Sequence, residues 1–190
     1  VDYQADCSMS DEILKQCSEI YRKVRNTFRF LLANIPNDDF TKEDLIATDA
    51  LPQSDQYMIL LLNDVNEKAQ KAYREYRFSD VTSMLTNLMT NEFSSYYLDY
   101  TKDILYIEKK DSLRRRQVQS VLYHAVDVLL RLWAPILAHT AEEIHDIFHG
   151  ESESIHLGDF AKLLAVAKEE ETKADMARLF ALRSDVFKAL

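Results

Sequence analysis

Residues 10–34, SDEILKQCSEIYRKVRNTFRFLLAN, set the reading of the whole chain. Ser10 can accept hydrogen bonds from the free amides of a helix start, and Asp11 and Glu12 follow where the helix dipole is positive. Ile13, Cys17, Ile20, Val24, Phe28 and Leu31 then recur at helical steps of three and four, an amphipathic helix ending near Asn34. At about 100° per residue, Arg22, Arg25, Asn26 and Arg29 share a sector away from Ile20, Val24 and Leu31.

The same grammar repeats outward from there. Residues 1–9 show no period and read as a lead-in, while Asn34 to Leu51, with Pro36 and many acids, reads as a loop with one short turn. Pro52 suits the first turn of a second helix, whose expected core stripe is Tyr57, Leu61, Val65, Ala69, Ala72 and Tyr76. Ser79 is expected to cap a third, buried through Val81, Leu85, Leu88, Met89, Phe93 and Tyr96. Ser112 opens a fourth, with Val118, Leu122, Ala125, Leu129, Leu132 and Ile136 on one face, and Pro135 should kink or end it. Thr140 and Glu143 have capping-box spacing for a short fifth helix. Past Gly150 the chain is acidic and loop-like, then helical again from about Thr172 and still so at Leu190. The expected fold class is all-α: an antiparallel helix bundle over 10–150, with 151–190 as a C-terminal extension.

Composition narrows the function classes. Two glycines and three prolines in 190 residues argue against a turn-rich β fold and against glycine-rich phosphate loops. The longest aliphatic run, Met58 to Leu62, is too short to span a bilayer, so no membrane is expected. Cys7 and Cys17 belong to no paired-cysteine motif, which favours a reduced, cytoplasmic setting over a disulfide framework. The net charge of −9 opposes nucleic-acid binding only on average. Lys15, Arg22, Lys23, Arg25 and Arg29 face the single acid Glu19 in their stretch, and phosphate attraction depends on the nearby field.

Two basic features are therefore candidates. Arg22 and Arg29 would stand about 10 Å apart along the first helix, a spacing that lets a row contact neighbouring phosphates, while arginine and asparagine can also bond unstacked base edges. The bland alternative is a solvated helix face. The second feature is Lys109, Lys110, Arg114, Arg115 and Arg116. Three arginines in a first turn oppose the helix dipole, so either acids such as Glu108 and Asp111 offset them or they face an external anion. Trp133 and most of Tyr96, Tyr97 and Tyr100 read as core rather than as base-stacking groups. Glu142, His145 and His149 share a helix face but lack a fourth ligand, so no metal is expected there; His124 reads as a core-edge residue. No nucleophile–base arrangement, Walker loop or dinucleotide fingerprint is present, and no catalytic residue is assigned.

Five stretches carry a family resemblance: SEIYRKVRNTFRFLLAN (Ser18–Asn34), FSSYYLDYTKDILY (Phe93–Tyr106), DSLRRRQVQSVLY (Asp111–Tyr123), WAPILAHTAEEIH (Trp133–His145) and ESIHLGDF (Glu153–Phe160). In this order they resemble the anticodon-binding domain of isoleucyl-tRNA synthetases, and the lead-in DYQADCSMSDEIL resembles the junction after the family's catalytic domain. The family usually has arginine near Ser8 and Gln56 and tryptophan in place of His145. Valyl-tRNA synthetase is the nearest competitor, and a helical protein-interaction module without RNA affinity is the rival from another class. A metal-dependent helical enzyme resting on Glu142, His145 and His149 is a third.

The resemblance implies a piece of a class I ligase of translation that joins isoleucine to its tRNA with ATP. Its partners would be the anticodon stem-loop of isoleucine tRNA and the remaining domains of the same synthetase. ATP with magnesium and structural zinc would belong to the full-length enzyme. The HIGH and KMSKS signatures, the editing domain and the zinc-binding cysteines do not occur here, so the piece should hold no cofactor and catalyse nothing. The opening at Val1 fits an excised piece, with 1–9 as junction and 151–190 as a truncated C-terminal region. The resemblance also turns Arg22, Arg25, Asn26 and Arg29 toward the anticodon arm.

Overall fold

No residue of 117–133 is exposed, its polar side chains included, so this helix lies at the centre of the protein. In the computed structural model, which describes residue 6 and residues 9–150 and 153–189, helix α5 (Leu113–Trp133) is the axis of the core. Val118, Val121, Leu122, Ala125, Leu129 and Leu132 are sealed from solvent on it. The Ser112 hydroxyl accepts the Arg115 amide at 3.4 Å and starts the helix; Pro135, two residues beyond its end, prevents continuation.

Around α5 stand α1 (Asp11–Ala33), α2 (Gln53–Arg74), α3 (Phe78–Asn87), α4 (Leu98–Ile107) and α6 (Ala138–His149). Their directions follow from which ends meet. The Gln119 amide, near the start of α5, donates to the Asn34 carbonyl at the end of α1 (2.9 Å). Arg114 at the start of α5 pairs with Asp55 at the start of α2, and the Tyr73 hydroxyl at the end of α2 donates to the Leu132 carbonyl at the end of α5 (2.6 Å). Helix α1 thus runs opposite to α2 and α5, which run together, and the expected all-α antiparallel bundle is observed. No described helix is long and apolar enough to cross a membrane.

Several local expectations need correction. Cys17 and Ile20, expected in the core stripe of α1, are both exposed; the stripe is buried only from Val24 onward. No described element covers the first turns of α1, and amphipathic spacing cannot say how far a partner reaches. Tyr76, placed in the α2 stripe, lies beyond the helix end at φ 58° and is 66% exposed. Met58, Ile59, Leu60 and Leu62 are instead buried with Ala69 and Ala72, because α2 is enclosed on more than one side. Helix α3 begins at Phe78 with Arg77, not Ser79, at its cap.

Between α3 and α4 the backbone does not break but widens into a π-helical segment, Leu88–Tyr97. The Leu98 amide bonds the Phe93 carbonyl, and the Ser94 and Ser95 hydroxyls reach back five residues to the carbonyls of Met89 and Thr90 at 2.8 Å each. The wider turn changes the phase, so Tyr97 rather than Tyr96 enters the core after Phe93.

Helix α6 also begins earlier than expected, at Ala138. Thr140 and Glu143 therefore form no capping box. They join α6 to α1 instead: Thr140 Oγ1 meets the Tyr21 hydroxyl at 3.0 Å, and Glu143 pairs with Arg25. The loop 34–51 carries two 3-10 turns, Lys42–Asp44 and Thr48–Ala50, and buries Phe40. After a further 3-10 turn, Ile155–Leu157, a strap without regular secondary structure runs along α2. Phe160 stacks on Tyr73 (5.6 Å), Asn66 donates to the Ala161 carbonyl (2.7 Å), and Asn63 bonds both the amide and the carbonyl of Leu164. Helix α7 (Glu169–Ala189) follows and buries Thr172 and Met176.

Candidate nucleic-acid interface

The polar sector of α1 is held in the open because its opposite side, Val24, Phe28 and Leu31, is locked into the core. Arg22, Arg25, Asn26 and Arg29 are all exposed. Arg25 makes a 3.3 Å ion pair with Glu143 in which both side chains remain more than half exposed. Arg22, Arg29 and the neighbouring Lys23 have no ion pair among the described residues, and Asn26 no hydrogen bond from its side chain. In a chain of net charge −9, a helix face with three unanswered cations is a local anomaly.

Two clefts flank this ridge. One, of about 450 Å³, lies between α1 and α6, with Arg25, Asn26, Arg29 and Glu143 among its walls. The other, of about 520 Å³, lies between α1 and the π-helical segment and includes Lys23, Asn26, Phe30, Asn91, Ser95 and Lys102. Asn26 lines both. Lys23, Asn91 and Lys102 were missed by sequence reasoning, since only the packing of α1 against the widened segment brings them together.

The second basic feature divides. Lys109 and Lys110 are exposed in the turn between α4 and α5, without ion pairs among the described residues. Arg114, Arg115 and Arg116 turn inward. Arg114 binds Asp55 at two points; Arg115 lies 2.7 Å and Arg116 3.4 Å from the Asp39 carboxylate. The three guanidinium groups are held by Asp39 and Asp55, distant in sequence, and not by Glu108 or Asp111. Burial draws the Asp39 pKa upward, but hydrogen bonds from Arg115 and Gln119 and the two arginine charges outweigh it and hold the carboxyl below its ordinary value. The arginine run thus fastens the loop 34–51 and the start of α2 onto α5.

Trp133 is buried and its indole N–H points at the Met89 sulfur (3.2 Å). Tyr97 is core, Tyr96 half-buried, and Tyr100 exposed, with its hydroxyl accepting from Arg114 at 2.8 Å. Glu142 does not join His145 and His149: it accepts from Ser154 (2.9 Å) and stands 3.8 Å from His156. Among the described residues no three His, Cys, Asp or Glu side chains converge to hold a metal ion. Burial lowers the pKa of His124 and His149, and His145 lowers that of His149 further. Cys17 is exposed; Cys7 lies outside the described residues.

Comparison with known proteins follows the same direction. Residues 55–190 match the model of the anticodon-binding domain of tRNA ligase. Over 191 residues the chain is 46% identical to the isoleucine–tRNA ligase of Bacillus subtilis and 45% identical to that of Listeria monocytogenes. The isoleucine–tRNA ligase 1 of Oceanobacillus iheyensis is 46% identical over 195 residues. Each match takes in the whole chain but only 21% of the relative, so the chain spans about a fifth of the proteins it resembles.

Proposed function

This chain belongs to the family of anticodon-binding domains of tRNA ligases, and from that premise we propose that it is the part of an isoleucine–tRNA ligase that holds the anticodon arm of isoleucine tRNA. The exposed face of α1 is the contact surface. Arg22 and Arg29 engage backbone phosphates, Arg25 joins them when it leaves Glu143, and Asn26 reads a base edge. Lys109 and Lys110 extend the positive field at the end of the bundle. Arg114, Arg115 and Arg116, expected from sequence to join this surface, are assigned to structure instead.

The observation that carries the reading is the contrast between the two arginine sets. Arg114, Arg115 and Arg116 are held by the two buried carboxylates Asp55 and Asp39, whereas Arg22 and Arg29 are left without an ion pair among the described residues. Long cations kept unpaired on a helix face are suited to releasing counterions from phosphates. Isoleucine activation with ATP and magnesium, editing and structural zinc belong, on this proposal, to the rest of a cytoplasmic enzyme. The described residues offer zinc no seat, with Cys17 alone and Glu142 turned from the histidines.

A salt series with the isoleucine anticodon arm tests it. Arg22→Ala and Arg29→Ala should each weaken binding to cognate and non-cognate arms alike, and flatten the log–log salt dependence by about 0.7 per lost phosphate contact. Asn26→Ala should lower discrimination between arms with little change in slope. Wild-type affinity and slope in all three variants would reduce the α1 face to a solvated surface and leave Lys109 and Lys110 to be tested next.

A further inference from the structure

Among the described residues one side chain other than glycine sits on a left-handed backbone, Tyr76 at φ 58°. Helix α2 ends there in a Schellman motif: the Arg77 amide bonds the Ala72 carbonyl at 2.8 Å, and the Tyr76 amide bonds the Tyr73 carbonyl at 3.1 Å. That motif needs positive φ at the position Tyr76 occupies, and glycine adopts it without steric cost. A tyrosine there brings its Cβ too close to the following carbonyl oxygen.

Packing offsets little of this strain. The Tyr76 ring is 66% exposed and stands edge-on to Phe78, 40% exposed, with centroids 6.1 Å apart. Phe78 leans on Tyr73, and Tyr73 stacks on Phe160, so a row of rings anchored inside the protein ends at Tyr76 outside it. A bulky side chain held under strain, with so little burial in return, points to a contact beyond the fold.

The neighbouring charges indicate what is contacted. Arg77 is taken by Glu75 and Asp80, and Lys68 by Asp64. Lys71 and Arg74, in the last turn of α2, are exposed and have no ion pair among the described residues. Arg74 gives only its Nε hydrogen, to the Gln70 carbonyl, and Glu67 makes no ion pair with Lys71 one turn on. Lys71 also lines a cleft of about 440 Å³ between α2 and α3.

We propose that Tyr76 is a stacking platform for one unpaired nucleotide of the bound RNA, with Lys71 and Arg74 at the phosphates beside it. This rests on the reading of the chain as RNA-binding and adds to it a second contact, at the end of the bundle where α1 begins. An exposed ring beside cations is how a nucleic-acid strand is held without selecting its bases. Tyrosine also suits protein contacts, but the uncommitted groups around this ring are cations in a chain of net charge −9, which a phosphate backbone answers.

Urea unfolding and salt-series binding to an isoleucine tRNA transcript and to its isolated anticodon arm test the platform. Tyr76→Gly should raise the urea midpoint, because glycine relieves the strain, and should weaken binding to the transcript by roughly fivefold to hundredfold at an unchanged salt slope. Tyr76→Phe, which keeps the ring, should bind as wild type does. Lys71→Ala and Arg74→Ala should each flatten the slope by about 0.7. Loss on the transcript alone would put the nucleotide outside the anticodon arm; loss on both would put it inside, and either supports the platform. Wild-type affinity of Tyr76→Gly for both RNAs, a lowered urea midpoint, or equal losses in Tyr76→Gly and Tyr76→Phe overturns it. The α1 reading falls or stands separately, on whether Arg22→Ala and Arg29→Ala change the slope.

Discussion

The Arg114 guanidinium closes on the Asp55 carboxylate through two hydrogen bonds, Nη1 to Oδ2 at 2.5 Å and Nη2 to Oδ1 at 3.1 Å, with the carboxylate wholly shielded from solvent. The pair joins the first turn of α2 to the first turn of α5 and takes a third bond from Arg114 to the Tyr100 hydroxyl. A charge buried this deeply tolerates the loss of its partner poorly.

Arg114→Ala should therefore destabilise the protein by about 3–5 kcal/mol, because it strands the Asp55 charge. The double replacement Arg114→Ala with Asp55→Leu should recover part of that loss. Urea unfolding supplies both values. RNA affinity and salt slope, measured well below the unfolding midpoint, should stay at wild type; a slope reduced by one phosphate contact would return Arg114 to the binding surface.

Asp39 makes stability depend on acid. Its folded pKa lies below the ordinary carboxyl value, so its contribution is fully present above the unfolded pKa of about 3.9 and is lost as pH falls through the lower folded value. Asp39→Asn should be less stable than wild type at neutral pH, and the gap in urea midpoint should narrow below about pH 4. A gap that stays constant down to acid would show that the Arg115 and Arg116 contacts add nothing electrostatic.

Leu129 is sealed from solvent near the C-terminal end of α5. Leu129→Ala should cost about 2–5 kcal/mol, the range for an aliphatic side chain removed from a packed core. A loss under about 0.5 kcal/mol, the surface range, would contradict the phase of this helix.

Glu143 restrains one member of the α1 row. Because both partners are more than half exposed, Glu143→Gln should alter stability by no more than about 1 kcal/mol. It should strengthen binding to the anticodon arm, since Arg25 no longer has to leave a carboxylate to meet a phosphate. Unchanged binding would place Arg25 outside the contact surface.

What was legible in the sequence was set by local chemistry. Ser10, Ser112 and Pro135 mark helix ends through groups a few residues away, and the observed limits of α1 and α5 follow them. The exposed α1 face was legible too, because a locked apolar stripe fixes where its opposite side points. What stayed hidden depends on contacts across the chain. Asp39 lies 77 residues from Arg116 and Asp55 lies 59 from Arg114, so nothing near these arginines announced their commitment. The π-helical segment was hidden for another reason: its composition suits an ordinary helix, and only the phase shift from Tyr96 to Tyr97 betrays it. Thr140 and Glu143 show the reverse error, in which a correct local pattern serves the distant partners Tyr21 and Arg25.

Asn63 offers the Leu164 peptide one acceptor and one donor, 2.9 and 2.7 Å away, as a neighbouring β-strand would. A helix side chain thus fixes the reading frame of an irregular segment. Both ends of the stretch are pinned to α2, so deleting a single residue between Phe160 and Leu164 forces a choice. Either the clamp keeps its peptide and Phe160 swings off the Tyr73 ring, or the ring contact persists and the Asn63 amide faces the wrong peptide. Length here is as strict a requirement as residue type, although the stretch has no regular secondary structure to enforce it.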